Sequence, residues 1–294
     1  MRIKKFSPCK VNLMLAITGV RDDGFHNLIS LVCPTRFGDD VVVEELPDGA
    51  AADVLECNVE GIPCDESNLA VKAAVLFRRE TGICKYFKIR LEKRVPAGAG
   101  LGGGSSNGAS ALAAVNEICG KPLSARRLEK IAAEMGSDCP LFLSGNPVVM
   151  RGRGEKVFPL TGEARDYIGM LKFVIFKPDF SINTGWAYSQ MRANPEDYID
   201  ADEAEGVLST WLENPNITSL PLINNMQIEA FKKYPALEVA VESVREKFGV
   251  PCMMSGSGSA CFAIVNDLEE KDVDALVGCI RSMLGDTCLI ARET

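Results

Sequence analysis

The stretch Pro96-Ala-Gly-Ala-Gly-Leu-Gly-Gly-Gly-Ser-Ser106 decides the reading of this chain. It holds five glycines within the seven positions 98–104, then two serines, then an alanine-rich pattern of helical period through residue 119. Glycine lets backbone N–H groups turn inward where a Cβ would block them. A helix starting directly afterwards adds unpaired N–H donors and the positive end of a dipole. Together these features make a cradle for phosphate oxygens.

Several literal patterns overlap in this loop, and context separates them. Gly98-x-Gly100-x-x-Gly103 matches a dinucleotide fingerprint, but Lys93-Arg-Val-Pro96 separates it from the preceding strand and Leu123 stands near the position that needs an acid. A Walker A loop needs a lysine between its last glycine and the hydroxyl residue, whereas Gly104 runs straight into Ser105. Gly104-x-Ser106-x-Gly108 matches a nucleophile elbow, yet the single histidine, His26, lies far upstream of Ser106. Hydrolases of that type carry their histidine after the serine. A flexible linker would not run at once into a strong helical pattern.

The remaining composition narrows the class. At 294 residues the chain is long enough for two modest domains. Net charge is −8 without a basic block, which argues against nucleic acid as a partner. No apolar run approaches a membrane span, and Met-Arg-Ile-Lys-Lys-Phe-Ser-Pro has no signal core, so a cytoplasmic protein with no membrane partner is expected. The eleven cysteines are scattered without a Cys-x-x-Cys pair and read as reduced, several as small core residues: Cys33, Cys139, Cys252 and Cys261. One histidine and no paired cysteines make a poor zinc set.

Along the chain, strands are expected at 11–18, 28–37, 40–45, 53–59 and 86–92, with a polar turn between 37 and 40. Helical periodicity covers 68–81, 106–119 and 124–135, with Ser124 as an N-cap lacking a capping box. Residues 136–143 form a short polar corner entering an apolar run, and glycine, proline and charge cluster at 145–165, suggesting a boundary there. Beyond it come a strand at 171–176, helices at 184–191, 201–211, 236–248 and 269–284, and a closing strand at 287–291. Residues 252–265 read as strand, glycine turn, strand, while 194–202 and 213–221 read as surface loops. A strand-rich first half and a mixed second half predict α+β and not a doubly wound parallel sheet.

Three distant segments carry polar groups in apolar or glycine-rich surroundings: Ser7-Pro-Cys-Lys-Val-Asn-Leu-Met-Leu15, the glycine loop, and Ser255-Gly-Ser-Gly-Ser-Ala260. Lys10 and Asn12, two apart, face the same side of a strand. In this order the three segments resemble the motifs of the GHMP family of small-molecule kinases. Within that family, Asp23-Gly-Phe-His-Asn-Leu28, Gly100-Leu-Gly-Gly-Gly-Ser-Ser-Asn107 and Gly136-Ser-Asp-Cys-Pro140 resemble the members whose acceptor carries a cytidine diphosphate.

The resemblance implies an N-terminal domain like the second domain of ribosomal protein S5 (residues 1–155) and a ferredoxin-like C-terminal domain (156–294), with the active site in the cleft between them. It implies ATP-dependent phosphorylation of a tertiary alcohol on a cytidyl-linked methylerythritol, a step of the non-mevalonate isoprenoid route, with Mg²⁺ arriving on ATP. By match to the family, Asp138 is the catalytic carboxylate. Lys10 is the catalytic lysine that holds that carboxylate ionised, and Asn12 orients the acceptor. Phe25 and Tyr188 sandwich the cytosine and His26 reads its edge. The loop formed by Pro96, Ala97, Gly98, Ala99, Gly100, Leu101, Gly102, Gly103, Gly104, Ser105 and Ser106 wraps the triphosphate. Asn68 and Lys93 match positions near the adenine, and Ser106 is a candidate contact to the metal. A monomer or weak homodimer is expected.

The chain departs from the family pattern at Phe25, where many members carry Tyr, at Cys9, a common Ala, and at Ala99, which interrupts the glycine run. None removes a named catalytic group. Two other readings compete: a kinase of the same fold acting on a small alcohol of the homoserine or mevalonate type, and a non-catalytic nucleotide-binding sensor.

Overall fold

A computed structural model describes residues 1–293. Its elements, in chain order, begin with two long strands, β1 (Arg2–Val20) and β2 (His26–Glu45), followed by β3 (Val54–Cys57), α1 (Leu69–Thr81) and β4 (Phe87–Glu92). Next come α2 (Gly103–Ile118), α3 (Ala125–Met135), α4 (Cys139–Ser144), β5 (Val148–Gly152), β6 (Lys156–Pro159) and α5 (Gly162–Gly169). The rest comprises β7 (Phe173–Lys177), α6 (Thr184–Ala193), α7 (Ala201–Glu213), β8 (Ile223–Asn224), α8 (Met226–Lys233), α9 (Pro235–Phe248), β9 (Cys252–Met254), β10 (Cys261–Ile264), α10 (Glu270–Leu284) and β11 (Leu289–Arg292).

The chain forms two compact units, each assembled from three stretches of sequence. The first contains residues 1–9, 36–97 and 102–145; the second contains 10–35, 98–101 and 146 onward. In the first, β4 lies between β3, to which it runs parallel, and the end of β2, to which it runs antiparallel with Asp40 opposite Glu92. The alternation in β4 buries Phe87, Ile89 and Leu91 on one face. Those side chains join Phe77 of α1, Leu112 and Val115 of α2, and Ile131 of α3 in one core. Helix α1 starts where Asn68 accepts a hydrogen bond from Ala70 N–H, and stops at Gly82, whose φ of 71° lies in the left-handed region.

In the second unit, β1 pairs in parallel with β8 through Met14 and Ile223, and β2 pairs antiparallel with β5, which continues into β6. A separate antiparallel sheet has the order β11-β7-β10-β9. With helices between β7 and β9 and α10 between β10 and β11, this is the β-α-β-β-α-β arrangement of a ferredoxin-like domain. Its interior includes Phe173 and Phe262, edge to face at 5.7 Å.

Several sequence expectations are corrected. No turn separates 37 from 40: β2 is continuous there because Gly38 lets it pass close to β1. A Cβ at Gly38 would lie 2.3 Å from the Ser7 carbonyl oxygen, and Asp39 is fully buried. The first unit ends at residue 145, and 146–165 carries the β5–β6 hairpin and the start of α5. The polar corner at 136–143 becomes α4, and α2 begins at Gly103 instead of Ser106. Ser124 sits at the N-cap of α3 without a side-chain capping bond. The eleven cysteines are free thiols, with Cys33, Cys139, Cys252 and Cys261 buried. Among the described residues no helix is long and apolar enough to cross a membrane.

Candidate active site

Residues 10–15, 98–101 and 255–260, parts of the three segments singled out in the sequence, meet within the second unit. Lys10 is almost wholly buried, 6% exposed, and its ammonium donates to Asn12 Oδ1. The same-face spacing on β1 makes that contact. Asn12 Nδ2 donates to Ser30 Oγ at 2.9 Å, and Ser30 Oγ donates to the Met14 carbonyl at 2.6 Å. Both ends of the Asn12 amide are thereby oriented. Ser30 was not singled out in the sequence, since one hydroxyl in an apolar strand gives no signal.

The glycine loop is pinned through three successive carbonyls. Ala99 O accepts from Ala260 N at 3.1 Å, Gly100 O from Ser255 Oγ at 3.3 Å, and Leu101 O from Lys10 N at 2.9 Å. Ser255 Oγ also accepts from Asn12 N at 3.2 Å. Gly98, Gly100 and Gly102 have φ of 65°, 77° and 68°, while the residues between them keep negative φ. This alternation of hand is the backbone of an anion-binding nest. It leads in sequence into the first turn of α2, whose N-cap, Gly102, makes no side-chain capping bond. At Gly100 a Cβ would lie 2.4 Å from the Ser255 carbonyl oxygen, so the terminal glycine-serine turn and the loop interlock only around glycine.

A second group, also in the second unit, gathers at His26. The imidazole is buried, 5.1 Å from the Tyr188 ring and 6.0 Å from the Tyr198 ring, centroid to centroid. Burial, reinforced by the Arg192 guanidinium, lowers its pKa, which leaves the ring neutral at pH 7. Among the described residues, His26 Nε2 and the Tyr198 hydroxyl are buried without a hydrogen-bond partner. Such atoms are costly unless a ligand meets them. Phe25, next in sequence, is 53% exposed, and the Arg153 guanidinium lies 4.9 Å over its ring. Arg192 donates to Gly24 O at 2.6 Å, and Asp23 Oδ1 accepts from Phe25 N at 3.1 Å, which fixes this turn.

Tyr198, Arg153 and Arg192 lay outside the sequence reading. Tyr198 falls in 194–202, whose polar composition reads as a loop. Its position follows from Asn225, whose Nδ2 donates to the carbonyls of both Ile17 and Asp197.

In the first unit, Asp138 occupies the N-cap of α4 but makes no side-chain capping bond. Its neighbour Cys139 is a buried thiol, pushed by that burial up to about 11. Asn68 has both ends engaged, accepting from Ala70 N at 3.0 Å and donating to Pro63 O at 2.8 Å. Lys93 has its ammonium on Asp39 and, at 2.9 Å, on Asn107 Oδ1. Ser106 is fully buried, its hydroxyl accepting from Ser7 Oγ at 2.8 Å.

The chain is similar to known proteins over most of its length. Residues 68–146 match the family model described as GHMP kinases N terminal domain, and 214–277 match GHMP kinases C terminal. The chain is 37% identical over 276 residues to the chloroplastic 4-diphosphocytidyl-2-C-methyl-D-erythritol kinase of Arabidopsis thaliana, covering 90% of this chain and 67% of that protein. It is 34% identical over 292 residues to the 4-diphosphocytidyl-2-C-methyl-D-erythritol kinase of Methylacidiphilum infernorum (isolate V4), covering 98% and 95%. A crystal structure of 4-(cytidine 5'-diphospho)-2C-methyl-D-erythritol kinase superposes with a TM-score of 0.77 at 30% identity, over 99% of this chain and 98% of that one.

Proposed function

This chain belongs to the GHMP kinase family, and on that premise we infer its reaction: transfer of the γ-phosphoryl group of ATP to the 2-hydroxyl of 4-diphosphocytidyl-2-C-methyl-D-erythritol, giving the 2-phosphate and ADP in the non-mevalonate isoprenoid precursor pathway. The observation that carries the choice of acceptor is His26. A neutral, buried ring with an unpartnered Nε2, beside Tyr188 and next to Phe25, suits a flat base with a hydrogen-bonding edge. A small alcohol without a base would leave that nitrogen unmet.

The roles follow the chemistry of the step. Asp138 accepts the proton of the acceptor hydroxyl as the new O–P bond forms and the bond to the ADP oxygen breaks. Lys10 stabilises negative charge on the alcohol oxygen, and Asn12, held by Ser30, orients the acceptor. Phe25 and Tyr188 hold the cytosine between them while His26 reads its edge. The N–H groups of residues 96–106 bind the triphosphate. Asn68 and Lys93 contribute beside the adenine from the same side chains that cap α1 and bind Asp39.

Magnesium enters as part of the MgATP substrate. Phosphate oxygens and water supply most of the ligands such an ion needs. Ser106 is its candidate protein contact. We place the boundary between N- and C-terminal domains at residue 155, the enzyme in the cytoplasm as a monomer or weak homodimer, and its partners among small molecules alone.

A coupled assay of ADP release tests this reading. Turnover with MgATP and the cytidyl acceptor, and none with homoserine or mevalonate, is the expected result. Turnover with either small alcohol and none with the cytidyl acceptor overturns it. No turnover with any acceptor favours a nucleotide-binding sensor.

A further inference from the structure

Asp39 is a fully buried carboxylate in the middle of β2. A buried carboxylate is tolerated where its lone pairs are met. Here all four acceptor positions are used. Oδ1 accepts from Arg94 N at 2.6 Å and Val95 N at 2.8 Å, and Oδ2 accepts from Asn107 Nδ2 at 2.9 Å and from the Lys93 ammonium. The donors come from two places only. Residues 93–95 immediately precede the glycine loop, and Asn107 follows it in the first turns of α2. Asn107 also binds Lys93 through Oδ1 and donates to Ser7 Oγ at 2.9 Å, and Ser7 continues to Ser106.

One carboxylate therefore ties both flanks of the loop together. Loop closure is an entropic cost that grows with the freedom of the ends, and a glycine-rich segment has the most freedom to lose. We propose that Asp39 is a positioning residue of the phosphate loop, presetting the N–H groups for the triphosphate without touching it. The inference rests on the reading of that loop as the ATP cradle. Structural burial alone would predict loss of stability with no preference between substrates. Positioning of the loop predicts a loss confined to ATP.

The experiment measures KM for ATP and for the cytidyl acceptor, together with direct MgATP binding by calorimetry, in the unmodified enzyme, Asp39→Asn and Asn107→Ala. An amide at 39 cannot accept from both Lys93 and Asn107 on the former Oδ2 side. Asp39→Asn should raise KM and Kd for ATP roughly tenfold to a hundredfold, the scale of a small misplacement of binding groups. KM for the acceptor should stay within about twofold. Asn107→Ala, which leaves the backbone half of the clamp intact, should shift ATP in the same direction by less. It carries the test if Asp39→Asn does not fold. Folded variants with unchanged ATP constants, or with equal rises for both substrates, overturn the role of Asp39. Failure of the unmodified enzyme to bind MgATP overturns the reading of the loop itself, and the positioning role with it.

Discussion

The imidazole of His26 and the phenol of Tyr188 stand 5.1 Å apart at an interplanar angle of 34°. The two rings are neither stacked nor perpendicular. The Nε2 of His26 is buried and has no hydrogen-bond partner among the described residues.

Acid should weaken the acceptor site, and neutral pH should not. His26 titrates below its ordinary value of 6.5 because it is buried and faces Arg192. As pH falls below that ordinary value, the unfolded chain takes up a proton before the folded one does. The contribution of His26 to stability is therefore complete above it and is lost on the acid side. KM for the cytidyl acceptor should be flat through pH 7 and rise only once the ring itself is protonated in the folded enzyme. Acceptor KM and thermal midpoint, followed across this range in the enzyme and in His26→Gln, check both expectations. A profile that is the same in the variant removes His26 as the titrating group.

Phe25→Ala should raise KM for the cytidyl acceptor by roughly five- to a hundredfold, the scale of one lost base stack. KM for ATP should stay close to that of the unmodified enzyme. The Arg153 guanidinium already covers part of the Phe25 ring, so the variant also frees that arginine. A parallel change in both KM values would separate Phe25 from base recognition.

Asp138→Asn separates activity from stability. Its carboxylate makes no capping bond to α4, so replacement by the isosteric amide should leave the thermal midpoint nearly unchanged. Turnover should fall roughly 10²–10⁴-fold, the usual contribution of a positioned base. Undiminished kcat in a folded variant excludes Asp138 as proton acceptor.

Gly100→Ala combines two penalties. The φ of 77° costs an L-residue about 1–2 kcal/mol. The new methyl would also stand 2.4 Å from the Ser255 carbonyl oxygen, so backbone must move. A lowered melting temperature together with a raised KM for ATP is expected, from thermal denaturation and steady-state kinetics. Normal values for both would mean that the loop and the 255–260 turn do not interlock.

Much of this was legible in the sequence, for identifiable reasons. Lys10 and Asn12 share a face because strands have a period of two, and their side chains do meet. The alternation of β4 and the periodicity of α1 predict what those elements bury. Segment 252–265 announced two strands and a glycine turn, which β9 and β10 form with Cys261 opposite Met254. Phe37-Gly-Asp-Asp40 misleads because its residues are those of a turn. Only the tertiary environment, close passage of β1 and donors for a buried acid, makes it strand. Tyr198 was hidden for a related reason. Its placement depends on Asn225, a residue distant in sequence, and no local period encodes that bond. Helix α8 is short, and its eight residues offer little periodicity to read.

The interleaved make-up of the two compact units has a consequence for how the protein comes into being. The last stretch of the first unit ends at residue 145, so every residue of that unit exists when about half the chain has been synthesised. The second unit begins with residues 10–35 yet draws most of its mass from residue 146 onward. Met14 and Leu15 must wait for Ile223 and Asn224, the strand they pair with. The nascent polypeptide thus has β2 available to one edge of β1 early, while the other edge, along β8, stays unpaired until residue 224 is made. Neither unit can be released by one proteolytic cut or expressed as one uninterrupted fragment.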